Sequence, residues 1–224
     1  MASFLGRTDT RGRTRKRNGR LVMSVVIPTE DLRVFFDAQS RSWDSRMIRD
    51  PDLLRCLLAW LPLQSGDSVL DVGTGTGVLL PYIREIAPQG EIDAVDISSG
   101  MLAVAQDKYG DDAHIHFISA DVSKDMLPRR YHAIILYSVF PHLSRRDETV
   151  ARLISDYLLP GGYLLIAHTE GRKWLNAMHR SRLRSSIRHD LFPVSVQASR
   201  FRRMGLNVAY AGESRHTYFI LLSK

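Results

Sequence analysis

Short apolar segments alternate with amphipathic segments along most of this chain. Segments 69–72, 131–139 and 163–168 are apolar at nearly every position, as in strands that are buried on both faces of a parallel sheet. Two further strands are predicted at 91–98 and at 114–118, the latter at a sheet edge because its polar positions alternate. The segments between them have helical periodicity. The sequence therefore predicts an α/β fold.

Seven helices and a final hairpin complete this prediction. The helices are predicted at 29–43, 53–61, 78–86, 100–108, 144–159, 172–184 and 194–204. Strands at 206–213 and 216–222 are separated by a short turn, which predicts an antiparallel hairpin. Pro160, Gly161 and Gly162 are predicted to turn the chain into the strand at 163–168.

Three glycines stand at every second position directly after the first strand, as Gly73, Gly75 and Gly77. Glycine accepts positive φ and lets the backbone approach a ligand closely, and the following helix offers free N–H groups. A second strand ends in Asp96, about twenty residues on, where nucleoside-binding α/β folds place a carboxylate for ribose. The pair predicts a ribose-containing ligand. A ligand-free glycine turn and a helix cap at Asp96 are the alternatives.

The order Asp71-x-Gly73-x-Gly75-x-Gly77 resembles the first motif of class I S-adenosylmethionine-dependent methyltransferases, whereas the nicotinamide fingerprint is Gly-x-Gly-x-x-Gly. Further matching pieces are Asp96-Ile97-Ser98 with Met101, Leu102 and Ala105, then Ala120-Asp121-Val122, then Leu159-Pro160-Gly161-Gly162. The similarity covers roughly residues 30–170 and is strongest to small-molecule enzymes of the ubiquinone/menaquinone-biosynthesis type.

The resemblance implies a Rossmann-like seven-stranded sheet of order 3-2-1-4-5-7-6, with strand 7 antiparallel and helices on both faces. It implies S-adenosyl-L-methionine as cofactor, with Ile97 and Met101 about the adenine and Asp121 at its amino group. Core packing and a helix cap are the alternative roles of these residues. The predicted cofactor-binding residues are Asp71, Gly73, Thr74, Gly75, Gly77, Asp96, Ile97, Met101, Asp121, Val122 and Ser138. In the family a first helix covers the cofactor, so Phe36 and Trp43 face the substrate or pack as core.

Methyl transfer from a sulfonium needs a positioned nucleophile and the exclusion of water. A base is needed only when the acceptor carries a proton. Tyr137 and His142 follow the fourth strand, and His168 and Glu170 follow the fifth, at the edge where open α/β sheets bind ligands. The candidate catalytic residues are His142 first, then His168, with Tyr137; hydrogen-bonded structural histidines are the alternative.

A sharper hypothesis is that His142, His168 and His179 converge, with Glu170, as a transition-metal site. Their spacing in the sequence is not local, so convergence rests on the fold alone.

Several acceptor classes are disfavoured. Methylation of the adenine amino group in DNA is disfavoured because no Asp/Asn-Pro-Pro-aromatic segment follows the fourth strand. The single cysteine, Cys56, provides neither the Pro-Cys nucleophile used for C5 methylation of cytosine nor the several thiols used for methylation of arsenic. A small-molecule acceptor remains. Cys56 is predicted to be a buried hydrophobe, and its solitary state suits a reducing, cytoplasmic compartment. No apolar stretch is long enough to span a membrane.

The formal charge of +7 is unevenly spread. Residues 1–22 hold seven Lys/Arg and one Asp, and residues 172–203 hold nine Lys/Arg and one Asp. The first segment is predicted to be a disordered basic tail. Three interpretations of this tail are open. It binds nucleic acid or an anionic surface, it is a targeting peptide, or it precedes a true start at Met23, and the last of these is favoured.

The rest, 23–224, is predicted to be one domain, a monomer or weak dimer. Its parts are a helical lid or cover (23–62), a cofactor half (63–170), and acceptor-side helices with the hairpin (171–224). Three arginines recur at helical spacing, at Arg180, Arg184 and Arg188. They are predicted either to bind an anionic acceptor or to form a solvated helix face. An RNA methyltransferase and a non-catalytic cofactor-binding partner are the other interpretations; a nicotinamide oxidoreductase fits the glycine spacing poorly.

Overall fold

The computed structural model describes residues 29–46, 50–182 and 190–224, without the side chains of 180–182. The predicted basic tail and the side chains of Arg180, Arg184 and Arg188 therefore lie outside the described residues.

Seven strands form one sheet of order β3-β2-β1-β4-β5-β7-β6. Strands β1 to β5 pair in parallel, and β7 runs antiparallel to both β5 and β6. The predicted fold class and strand order are confirmed. The strands are β1 (Val69–Val72), β2 (Ile92–Asp96), β3 (Ile115–Ser119), β4 (Tyr131–Tyr137), β5 (Leu158–His168), β6 (Asn207–Glu213) and β7 (Tyr218–Ser223).

Helices cover the sheet, and an apolar core lies on each of its faces. Residues of β4 contribute to both cores, because side chains alternate between the two faces of a strand. Ile134 and Leu136 belong to one core, and Ala133 and Ile135 belong to the other. The helices are α1 (Thr29–Gln39), α2 (Pro51–Leu58), α3 (Leu80–Ile86), α4 (Ser99–Tyr109), α5 (Arg146–Arg152), α6 (Arg172–Arg182) and α7 (Val194–Arg203). In the described part of the chain, no helix combines the length and apolarity of a membrane span.

Helix α5 is shorter than the predicted helix at 144–159. It gives way to a wider π-helical turn, Leu153–Tyr157, and the chain then enters β5 at Leu158. The predicted turn residues lie inside β5, where pairing with β4 passes from Leu158 directly to Tyr163. Backbone hydrogen bonds to Lys224 hold this irregular part in place. The Gly161 N–H donates to the Lys224 carbonyl oxygen, and the Lys224 N–H donates to the Gly162 carbonyl oxygen.

The prediction that Cys56 is buried is wrong, since its side chain is exposed. Helix α2 begins at the Asp50 cap, whose carboxylate accepts the Leu53 N–H, and it buries Leu54, Leu57 and Leu58. Cys56 lies between these positions on the opposite side of the helix.

Candidate active site

One cavity opens at the carboxyl ends of β1, β2 and β4, and most of the predicted site residues line it. Helix α1 and the turns that follow it add further residues from the opposite side. The predicted residues that line the cavity are Gly73, Thr74, Gly75, Asp96, Ile97, Met101, Asp121, Val122, Tyr137, Ser138 and His142. Asp71, Gly77 and His168 are not among its lining residues.

The glycine loop takes the backbone conformations that its sequence indicates. Gly73, Gly75 and Gly77 have φ of 67°, 57° and 82°, a region that side chains disfavour. A Cβ on Gly73 would also lie 2.4 Å from Cγ2 of Val139, in the loop after β4. Gly73 therefore lets the two loops that border the cavity approach each other.

Two polar atoms beside this loop are buried, and neither makes a hydrogen bond of ordinary geometry with any of the described residues. They are Oδ2 of Asp71 and Oγ1 of Thr74. Burial raises the pKa of Asp71 to about 7, and the neighbouring Thr74 side chain opposes part of that rise. Buried polar groups in native proteins usually have partners, so these atoms mark a place for a polar ligand group or for ordered water.

Asp96 joins the glycine loop to the start of α4. One carboxylate oxygen accepts the Gly75 N–H at 2.9 Å, and the other accepts the Ser98 N–H at 2.9 Å. Burial raises the pKa of Asp96. Each oxygen keeps a second lone pair, which suits the paired hydroxyls of a ribose.

The lining of the cavity also includes Ile97, Met101 and Val122 together with Asp121. One oxygen of Asp121 accepts both the Ser123 N–H and the Ser123 hydroxyl, at 3.0 and 2.6 Å. Asp121 thus caps a turn, not a helix as the alternative interpretation expected, and it also lines the cavity. Apolar side chains with one acceptor at their edge fit an adenine ring.

An aromatic group forms the remaining wall. The Phe36 ring lies 5.6 Å from Trp43 and 5.7 Å from His142, both edge to face. His142 stands in a short turn, Phe140–His142, and its ring is 5.1 Å from that of His179 on α6. Tyr137 shares a hydrogen bond of 2.7 Å with Thr169. Sequence periodicity places Phe36 on one helix face, but it does not show this partnership with His142.

His168 lies away from the cavity, with 1% of its surface exposed. Its ring packs 6.0 Å from that of Tyr218. Burial, with a smaller contribution from His179, lowers the pKa of His168 to about 3, so the imidazole is neutral at physiological pH. Among the described residues no group of three or more His, Cys, Asp or Glu side chains is placed to hold a metal. His142, His168, His179 and Glu170 therefore do not form the predicted metal-binding group in this structure.

The fold and the cavity together define the class of this domain. A parallel sheet with an antiparallel last strand, a glycine loop after β1 and a carboxylate at the end of β2 make a nucleoside-cofactor-binding α/β domain. Residues 69–162 match a family described as methyltransferase domain. This match confirms the resemblance to S-adenosylmethionine-dependent methyltransferases, and it agrees with the cofactor inferred from the motifs.

Known relatives agree with this class. The chain is 28% identical over 172 residues to a malonyl-[acyl-carrier protein] O-methyltransferase of Marinomonas sp., covering 73% of this chain and 63% of that relative. In fold it is similar to a SAM-dependent methyltransferase from Aquifex aeolicus (TM-score 0.63, 20% identity, 83% and 97% of the two chains). It is also similar to DhpI, solved as a complex with SAM and HEP (TM-score 0.68, 17% identity, 88% and 97%).

Proposed function

We propose that this protein transfers the methyl group of S-adenosylmethionine to an oxygen atom of a small-molecule acceptor by in-line displacement. The observation that carries the proposal is a single cavity that runs from the glycine loop and Asp96 to Tyr137 and His142. Cofactor and acceptor groups therefore share one enclosed space, as a direct displacement requires. The likeness to an O-methyltransferase supports the choice of an oxygen acceptor.

The cofactor end of the cavity fits S-adenosylmethionine on its own chemistry. Asp96 has acceptor capacity for the ribose hydroxyls, and Ile97 and Met101 offer apolar contact to the adenine. Oδ2 of Asp71 and Oγ1 of Thr74, which make no hydrogen bond of ordinary geometry within the described part of the chain, lie beside the loop that would receive the polar end of the cofactor. When bound, the cofactor supplies an electrophilic methyl group and a good leaving group.

The acceptor end is aromatic and carries one imidazole. Phe36, Trp43 and Leu143 give it apolar walls that exclude water, and His142 is the proton acceptor within them. Tyr137 orients the acceptor through its hydroxyl, which Thr169 holds. His168, second among the predicted bases, is too deeply buried to reach an acceptor in this cavity.

The proposal includes a cytoplasmic location and a monomer or weak dimer. The cytoplasmic location rests on Cys56, which is a free and exposed thiol, because oxidising compartments favour paired cysteines. Size-exclusion chromatography with light scattering tests the oligomeric state, and a stable dimer at micromolar concentration would contradict it.

Transfer of a labelled methyl group tests the proposed reaction directly. The full chain is incubated with methyl-labelled cofactor and a panel of hydroxyl and carboxyl acceptors. With a hydroxyl acceptor, His142→Gln is expected to lower kcat by about 10²–10⁴-fold, the usual contribution of a positioned base, while S-adenosylhomocysteine affinity stays within about twofold.

His216→Gln is the matched control, because His216 is exposed in the turn before β7. If His142→Gln retains full kcat with every accepted hydroxyl compound, His142 is not the base. If no acceptor is methylated while cofactor binds, the proposed small-molecule activity fails.

A further inference from the structure

Residues 29–46, here called the strap, cross the cavity from the outside. The strap consists of α1 and the two short turns Ser40–Ser42 and Asp44–Arg46, and it contributes Phe36 and Trp43 to the cavity wall. Its own burial is slight, since Leu32 and Ser40, each 7% exposed, are its only buried residues. Apolar packing therefore holds the strap weakly, and its polar contacts decide where it sits.

The first polar contact joins the strap to the start of α4. Oδ1 of Asp37 accepts the Ser98 hydroxyl at 2.6 Å and the Gly100 N–H at 2.9 Å. The hydrogen bond from Ser98, followed by that from Gly100, lowers the pKa of Asp37, so the group is an anion at a helix N-terminus. A Cβ on Gly100 would lie 3.3 Å from the Asp37 Cα, which shows how closely the two backbones approach.

This contact continues into the cofactor site. The Ser98 N–H donates to Asp96 at 2.9 Å, and Asp96 in turn accepts the Gly75 N–H. Asp37 therefore holds Ser98, and through Ser98 the carboxylate that is proposed to receive the ribose.

The second contact joins the strap to the glycine loop. Oδ1 of Asp44 accepts the Thr76 hydroxyl at 2.6 Å, and Thr76 lies between Gly75 and Gly77 with 1% of its surface exposed. The Lys108 ammonium bridges the two segments, because it pairs with Asp44 and donates to the Thr76 carbonyl at 3.0 Å.

We infer that Asp37 and Asp44 are positioning residues that clamp the strap to both walls of the cofactor cavity and so set how long the cofactor stays bound. The inference rests on the proposed function, because the ligand retained is S-adenosylmethionine or its product. Phe36 and Trp43 sit over the cavity only while both contacts are made. Cofactor exchange then requires that the strap lift from α4 and from the glycine loop.

The dissociation rate of S-adenosylhomocysteine from the full chain tests this inference. Asp37→Asn and Asp44→Asn are each expected to raise that rate about tenfold, since hydrogen bonds to a charged group are worth at least that factor. The Tm without ligand should fall little in either variant, because the strap adds few residues to the core. Asp31→Asn, an exposed carboxylate on the same helix, is the matched control and should leave the rate unchanged.

A double-mutant cycle separates a clamp from a general loss of charge. Lys108→Met should raise the dissociation rate alone, and combined with Asp44→Asn it should add less than the sum of the single effects. Unchanged rates in both aspartate variants, with normal binding by the wild type, would overturn the clamp and leave the proposed function standing. A wild type that binds no S-adenosylhomocysteine would overturn both.

Discussion

At the scale of single residues, we expect the proposed cofactor site to depend most on Asp96. Its two oxygens accept N–H groups from the glycine loop and from the start of α4, so one carboxylate both shapes the cavity and faces it. The sequence indicates this residue by its distance from the glycines. It does not indicate Asp37 or Asp44, because their partners lie 61, 63 and 32 residues away in sequence and no local pattern distinguishes them from solvated acids.

Asp96→Asn is expected to weaken S-adenosylhomocysteine binding by about 10–100-fold. The amide has one acceptor oxygen and an NH₂ donor, so one of the two backbone N–H groups loses its partner, and hydrogen bonds to a charged acceptor are worth about 1.5–3 kcal/mol. Calorimetric titration measures the change, with Asp107→Asn as the control because Asp107 is exposed on α4, the helix that follows Asp96. Equal affinity in Asp96→Asn and wild type would remove Asp96 from the site.

His168 leads to a prediction about pH. Because burial lowers the pKa of His168 to about 3 from 6.5, the folded state excludes a proton that the unfolded chain binds below pH 6.5. Its contribution to stability is therefore complete above that pH and is lost as the pH falls. Between pH 7 and pH 5 the wild type should lose about 2 kcal/mol more unfolding free energy than His168→Phe.

Denaturant unfolding at both pH values measures this difference. Any packing cost of the phenylalanine appears at both pH values and cancels, and His168→Asn should behave in the same way. Equal losses in wild type and both variants would show that His168 takes up a proton in the folded state.

At the scale of elements, periodicity predicts where strands and helices lie better than where they end. The helix predicted at 144–159 ends early because Leu158 already pairs with β4 and Lys224 bonds to the carbonyls of Ser155 and Leu158. The partners in these contacts, Tyr131 and Lys224, lie outside the segment 144–159, so a local window cannot contain them. Likewise, Cys56 occurs in an apolar run, but the run does not reveal which side of α2 faces the core.

The contact between the glycine loop and the loop after β4 can be tested with two glycines. Gly73→Ala places a methyl group 2.4 Å from Val139 at a φ of 67°, whereas Gly161→Ala meets nothing within 4 Å at a φ of 77°. Gly161→Ala should cost only the backbone strain, about 1–2 kcal/mol. Gly73→Ala should cost about 2–3 kcal/mol more through the clash and should also weaken S-adenosylhomocysteine binding.

Thermal unfolding and calorimetric titration measure the two effects. Val139→Ala combined with Gly73→Ala should recover part of the lost stability, because it removes the two γ-methyl groups at 2.4 and 3.3 Å from the new methyl group, although the Cβ of residue 139 stays at 2.7 Å. Similar losses in Gly73→Ala and Gly161→Ala would show that backbone strain alone requires glycine at position 73.

At the scale of the whole molecule, one ligand should stabilise the entire fold. The cavity takes residues from the strap, from the ends of β1, β2 and β4, and from α4, so its occupant contacts elements spread along much of the sequence. Strand order and glycine spacing both indicate an adenosyl cofactor over a nicotinamide, and the family match of residues 69–162 agrees. Adenosyl compounds should therefore raise the Tm, and nicotinamide dinucleotides should not.

The Tm of the full chain is measured with S-adenosylmethionine, S-adenosylhomocysteine, NAD and NADP in parallel. A ligand at a hundred times its dissociation constant adds about 2.7 kcal/mol, which shifts the Tm of a domain of this size by several degrees. Asp96→Asn should lose most of the shift at the same ligand concentration, since its affinity is lower. Stabilisation by NAD or NADP alone would contradict the cofactor assignment. A shift with the adenosyl compounds that persists in Asp96→Asn would place them elsewhere on the molecule.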